Sequence, residues 1–334
     1  MLKLVQNEWM KLWRKKATWI MLIMLVLVTI GIGGISKWIS TLDSSDMDDS
    51  TGGNVSVKKV DGGEKAPELT WQEKEKANIA EKDKMLKEDD LSKADKEEWN
   101  KQKSISEYRL KNDLPPDSEM TSESFMLASI NTLAIATMLT IVIAAGIVAS
   151  EFSEGTIKML LTRPVKRWKI LTSKLLTVLL YGVAMAAVTW ITSTTIGFIL
   201  FDSSGVNYLN WNGDEVVEQS IWIRSLYLYL LSSINIFVTA IFAFMIGSVF
   251  RSNSLAIGIS MFLWFTGGTI VYFLANYEIV KYLFFTYTDL TQFATGNVIV
   301  EGTTMPLAFA VLSVYMVIFT AISYIVFTKR DITA

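Results

Sequence analysis

The chain has 334 residues, 51% of them hydrophobic, with a mean hydropathy of +0.35, which is more apolar surface than a soluble domain can wet. A formal charge of −2 supplies no general attraction to nucleic acid, so none is expected as a partner. With no Cys and no His, disulfides, HExxH zinc chemistry and Cys or His nucleophile–base pairs are excluded, and no metal site is expected.

Residues 1–16 place Leu2, Val5, Trp9 and Leu12 three and four apart, with Trp13 alongside and Lys3, Lys11, Arg14 and Lys15 between them. This spacing predicts an amphipathic helix with a basic face, suited to lie in the headgroup region of an anionic leaflet. Residues 17–38 carry no charge before Lys37 and are long enough to cross a bilayer core, longer than the apolar core of a cleaved signal. They are read as the first span.

Residues 39–124 change character. A Ser/Gly/Asp-rich linker is followed, over 69–111, by a dense run of Glu and Lys with Ala, Leu and Met and few helix breakers. Opposite charges four apart support helix, and Trp71, Ile79, Leu86, Trp99, Ile105 and Tyr108 give a thin apolar stripe. A solvated helical hairpin is expected, bent near 89–92 and ended by Pro115-Pro116.

Further apolar runs at 125–150, 170–201, 221–250, 255–277 and 305–328 bring the expected spans to six. The fold class is therefore an all-α polytopic membrane protein with a helical insertion between the first and second spans. Lys3, Lys11, Arg14, Lys15, Lys16, then Lys158, Arg163, Lys166, Arg167, Lys169, then Arg251, then Lys329 and Arg330 all fall on one side. The short loops of the other side, 202–220 and 278–304, hold only Lys281. The positive-inside rule puts both termini and residues 151–169 in the cytoplasm and the 39–124 insertion outside. Within 278–304, the aromatic segment 279–287 is too short to cross. It reads as an interfacial or re-entrant helix, or as a belt at the headgroups.

Residues 151–169, EFSEGTIKMLLTRPVKRWK, lie between the second and third spans and are too patterned for a passive loop. Glu151 and Glu154 precede Lys158, in the order that a helix dipole favours. Gly155 permits a tight bend, and Arg163-Pro164 ends the helix, because the residue before Pro avoids the helical region. The expected product is a short helix presenting Ile157, Leu160 and Leu161 to a protein groove, flanked by positive charge. Polar residues inside the spans, Asn131, Ser232, Asn235 and Thr266, either face a translocation path or hydrogen-bond neighbouring helices. Ala144-Ala145-Gly146 and Gly267-Gly268 permit close helix approach. Arg224, near the end of its span, can snorkel to the headgroups.

The order E-F-x-x-G-T-I-K-x-L-L-x-R-P-V-x-R-W over 151–168, followed by Lys174, closely resembles the coupling region of ABC-2 type transporter permeases. Asn7-Glu8 with Lys11, Arg14 and Lys15 ahead of the first span is similar to the interfacial helix of that family, and the six-span layout matches too. The 39–124 insertion is longer than many members carry. The resemblance implies a permease subunit of an ATP-driven exporter of amphiphilic or peptide-like cargo, in a bacterial cytoplasmic membrane. No G-x-x-x-x-G-K-[ST] loop occurs here, so ATP and Mg would be bound, and ATP hydrolysed, by a separate ATPase subunit. The family pattern implies two such ATPases per complex and a second permease, identical or related. By position, Glu151, Glu154, Gly155, Thr156, Lys158, Leu161, Arg163, Pro164 and Arg167 would form or shape the ATPase contact. The competing expectation is a membrane-anchored sensor or scaffold whose outer hairpin binds a ligand without transport.

Overall fold

The computed structural model describes residues 1–46, 70–87, 93–116, 120–156, 165–203, 205, 207–211, 213, 215–250, 252–296 and 298–329, without the side chains of 43–46 and 93–95. Among the described residues, six helices are long and apolar enough to cross a membrane, and the chain is an all-α polytopic membrane protein. In chain order the helices are α1 (Leu2–Arg14), α2 (Lys16–Asp46), α3 (Trp71–Met85), α4 (Lys93–Asn112), α5 (Ser122–Ala128), α6 (Leu133–Ser153), α7 (Arg167–Leu200), α8 (Ile221–Val249), α9 (Asn253–Leu274), α10 (Thr291–Thr295) and α11 (Met305–Lys329). One element was not expected: an antiparallel hairpin of β1 (Tyr208–Trp211) and β2 (Val216–Gln219), paired from Tyr208↔Gln219 to Trp211↔Val216. The chain divides into two compact units. The first holds Met1–Gly31, Ala128–Thr195 and Leu226–Ala334; the second holds Ile32–Leu127 and Ile196–Ser225.

In the first unit the spans meet through small residues. A Cβ built on Gly247 of α8 would stand 2.2 Å from the carbonyl oxygen of Ala145 on α6, so the two backbones touch directly. On α9, Gly267 lies under the Phe285 ring, 2.1 Å from where a Cβ would sit, whereas Gly268 faces open space. Of the expected small-residue pair, only Gly267 is thus a packing position. The segment after α9 folds as two 3₁₀ turns, Glu278–Tyr282 and Phe284–Tyr287, and then α10. Phe284 and Tyr287 are buried, while Ile279 and Tyr282 remain exposed. Phe284 packs on Phe242 of α8 and Phe319 of α11, with ring centroids 5.2 and 5.4 Å apart. Gln292 of α10 closes the segment by donating to the Thr286 carbonyl at 3.0 Å.

The second span is not one uninterrupted helix. A 3₁₀ turn at Ser129–Thr132 separates α5 from α6. Neither Gly nor Pro is involved. Instead Thr132 Oγ1 donates to the Ser129 carbonyl at 2.6 Å and Asn131 Nδ2 donates to the Ala128 carbonyl at 3.2 Å. Short polar side chains that bond nearby backbone compete with the α-helical pattern, and here they tighten one turn.

In the second unit, α3 and α4 form the expected antiparallel pair, and the expected bend at 89–92 lies outside the described residues. Lys103 of α4 reaches Asp83 of α3 at 2.6 Å, and Arg109 reaches the buried Glu75 at 3.4 Å. Thr70 and Glu73 make a reciprocal capping box at the start of α3. Tyr108 of α4 donates to Glu218 of β2, which ties the helical pair to the hairpin. Arg224 does not snorkel outward. It is 5% exposed and stacks over the Tyr208 ring, 4.9 Å from its centroid.

Candidate functional site

The site grows from the last turn of α6. There the apolar run ends in Glu151, and α6 places that carboxylate inward, 4% exposed. A buried carboxylate needs compensating donors, and three elements supply them. Lys174, seven residues into α7 and 1% exposed, donates to Glu151 Oε1 at 3.0 Å. Lys11 of α1 donates to the same oxygen at 2.6 Å, and Thr156 Oγ1 donates to Oε2. Lys174 also donates to Glu8 of α1 at 3.0 Å. Two acids and two bases from α1, α6 and α7 thus form one chain of ion pairs, Lys11–Glu151–Lys174–Glu8. Burial lowers the Lys11 pKa, but its hydrogen bond to Glu151, with Glu8 and Glu154 nearby, more than offsets this and holds it above the ordinary 10.5.

The amphipathic pattern of α1 explains why that helix lies here. Leu12 is buried with Leu25, Tyr181 and Ile236, with Trp9 and Trp13 packed against them, while Glu8 and Lys11 turn toward the ion pairs. Beyond Ser153 the chain leaves the helix at Gly155, whose φ of +71° is a conformation that Gly adopts without a Cβ penalty. It re-enters at α7, where Arg167 donates to the Thr328 carbonyl in the last turn of α11 at 3.3 Å. The feet of the 151–169 stretch are therefore fastened to α1, α7 and α11.

The expected contact residues separate accordingly. Glu151 is not an outward-facing contact, because its carboxylate is consumed internally; Thr156 serves it. Glu154 and Gly155 are exposed, and Arg167 binds a helix end. Lys158, Leu161, Arg163 and Pro164 lie outside the described residues. The expected path residues do not converge on this site. Asn131 and Thr266 bond the backbone of their own segments, Ser232 is half-buried, and Asn235 Oδ1 is buried with no partner among the described residues. Glu8 was not anticipated as a partner. The readable signal was Lys174, a cation inside an apolar run, which requires a buried acid.

Between α1, α2, α6, α7 and α9 lies a cavity of about 200 Å³. Glu8, Lys11, Lys15, Glu154 and Lys174 line its polar end, and Met21, Ile143, Ile147 and Ile257 its apolar walls. Asn253, at the start of α9, lines it too, and its Oδ1 is buried without a partner among the described residues. No group of His, Cys, Asp or Glu among the described residues could hold a metal ion.

Sequence comparisons bear on this chain over nearly its full length. It is 33% identical over 337 residues to the uncharacterized protein YhcI of Bacillus subtilis, covering 99% of each chain. It is 30% identical over 197 residues to the uncharacterized membrane protein YdbK of the same organism, covering 58% of this chain and 76% of that one. The model of a family described as a protein of unknown function, DUF2705, matches residues 99–333, which include all of α5–α11. The chain belongs to the DUF2705 family.

Proposed function

We propose that this chain is the membrane-spanning permease subunit of an ABC-2 type exporter, driven by a separate ATPase that docks on residues 151–169. The observation that carries the reading is the ion-pair chain Lys11–Glu151–Lys174–Glu8, which fastens the base of that stretch to α1, α6 and α7. A docking segment transmits force only if its feet are rigid. A network whose central pair, Glu151 and Lys174, is buried and partnered gives the rigidity that a topology-setting loop has no need of. The Lys and Arg distribution supports a cytoplasmic position for residues 151–169 with residues 39–124 and 202–220 outside, and the family resemblance supports a bacterial plasma membrane. ATP and Mg belong to the partner, two ATPases serve two permeases, and the cargo is amphiphilic or peptide-like.

The test is purification of the tagged full chain from host membranes, followed by ATP hydrolysis in the eluate. The native chain should bring down ATPase activity, and a Gly155→Val, Arg163→Glu variant of unchanged thermal stability should lose it. No ATPase with either form would overturn the permease reading in favour of a membrane-anchored sensor whose outer helical pair binds a ligand.

A further inference from the structure

We propose that the cavity beneath α1 is the headgroup site for one phospholipid of the ethanolamine class. Its volume of about 200 Å³ would take on the order of a dozen waters. Yet the half formed by Met21, Ile143, Ile147 and Ile257 offers water no hydrogen bond, so an amphiphile suits the space better than water does. The opposite half carries charge of both signs. Lys15 makes no ion pair among the described residues and stands exposed at the rim, suited to a phosphate. Glu154, exposed on the α6 side, is an acceptor.

The third observation selects the head. Asn253 lines the cavity, and its amide oxygen is buried and unpartnered among the described residues, so a turn of that side chain toward a donor in the cavity would satisfy it. Phosphoethanolamine presents a phosphate and an N–H donor together. Phosphocholine has the same charges but no N–H, and phosphatidylglycerol offers hydroxyl donors without the cation that Glu154 favours. Gly146 makes the room: a Cβ there would stand 3.2 Å from Asn253 Oδ1 and 4.0 Å from Ile257 Cδ1. The site lies at the ends of spans, with α1 over it, where a leaflet's headgroups sit.

The full chain in detergent is titrated with phosphatidylethanolamine, phosphatidylcholine or phosphatidylglycerol of matched acyl chains, and retained lipid is counted by native mass spectrometry. One ethanolamine lipid per chain should be held with about tenfold preference over choline, the equivalent of one hydrogen bond to a charged group. Asn253→Leu should bring that ratio close to one. Lys15→Gln, at an exposed position, should weaken all three lipids alike. Gly146→Leu should abolish retention. Equal retention of ethanolamine and choline lipids by the native chain would overturn the proposal, as would a preference for phosphatidylglycerol. A discrimination that survives both Asn253→Leu and Gly146→Leu would place the lipid elsewhere and overturn it too.

Discussion

Replacing Lys174 by Met tests whether the ion-pair chain holds the first unit together. The Lys174 ammonium is 3.0 Å from both Glu151 and Glu8, and at an effective dielectric near 20 each such pair has about 5 kcal/mol of gross attraction. Much of that offsets the desolvation of a lysine side chain that is 1% exposed. Met restores the stem's packing but leaves two buried carboxylates short of a donor. Glu151 keeps Lys11 at 2.6 Å, while Glu8, with a side chain 13% exposed, turns to water more easily. The expected net loss is about 3 kcal/mol, at the lower edge for breaking a buried pair. In detergent-solubilised full chain this lowers the unfolding midpoint by about 4 °C. The second arm is the double variant Lys174→Met, Glu151→Leu, which should lose less than the sum of the single variants by at least about 1 kcal/mol. Raising salt should change the native midpoint little, because screening does not reach the buried pair. A Lys174→Met midpoint within about 1 °C of native would refute the reasoning.

Three further outcomes follow from particular contacts. Gly247→Val places carbon against the Ala145 carbonyl and should cost about 3 kcal/mol in thermal unfolding, whereas Gly268→Ala enters open space and should be neutral or slightly stabilising. Tyr181 is fully buried and its hydroxyl has no partner among the described residues, so Tyr181→Phe should raise the unfolding midpoint by the equivalent of about 1 kcal/mol. Glu73 is held below its ordinary pKa of 4.5 by accepting from the Thr70 backbone N–H and hydroxyl. A lowered folded pKa contributes above the unfolded value and is lost as pH falls through the folded one, so amide protection in the first turn of α3 should weaken below pH 4.5. Unchanged protection down to pH 3 would argue against the capping box.

Much of the fold was legible because lipid is a demanding solvent. A run that must satisfy its own backbone and bury no charge declares itself by length alone, and α7, α8, α9 and α11 begin and end within a few residues of the expected bounds. The β-hairpin was overlooked because its strands are only four residues each, although Asn212-Gly213 between Tyr208–Trp211 and Val216–Gln219 is a hairpin signal. The 3₁₀ turn in the second span was not readable, since Ser and Thr in apolar helices more often bond back without altering the helix, as Thr137 and Thr140 do. The site divides in the same way. Gly155 at a positive φ follows from local sequence, but the pairing of Glu8 with Lys174 joins residues 166 apart and depends on where α1 docks. Periodicity along one segment carries no information about that.

The burial of Lys174 also bears on how the chain enters a membrane. A lone lysine within a span resists insertion, by about 2.5–3.5 kcal/mol at the bilayer centre and less toward the ends. Its two counter-ions, Glu8 and Glu151, both precede it in the chain and are therefore already synthesised when α7 emerges. The order of synthesis suits this charge: α1 and α6 carry the acids that Lys174 pairs with, and both come before α7. A nascent chain lacking α1 would deliver Lys174 with one acid in place of two. Its defect would then show in topology and turnover during synthesis, before any finished protein existed to be assayed.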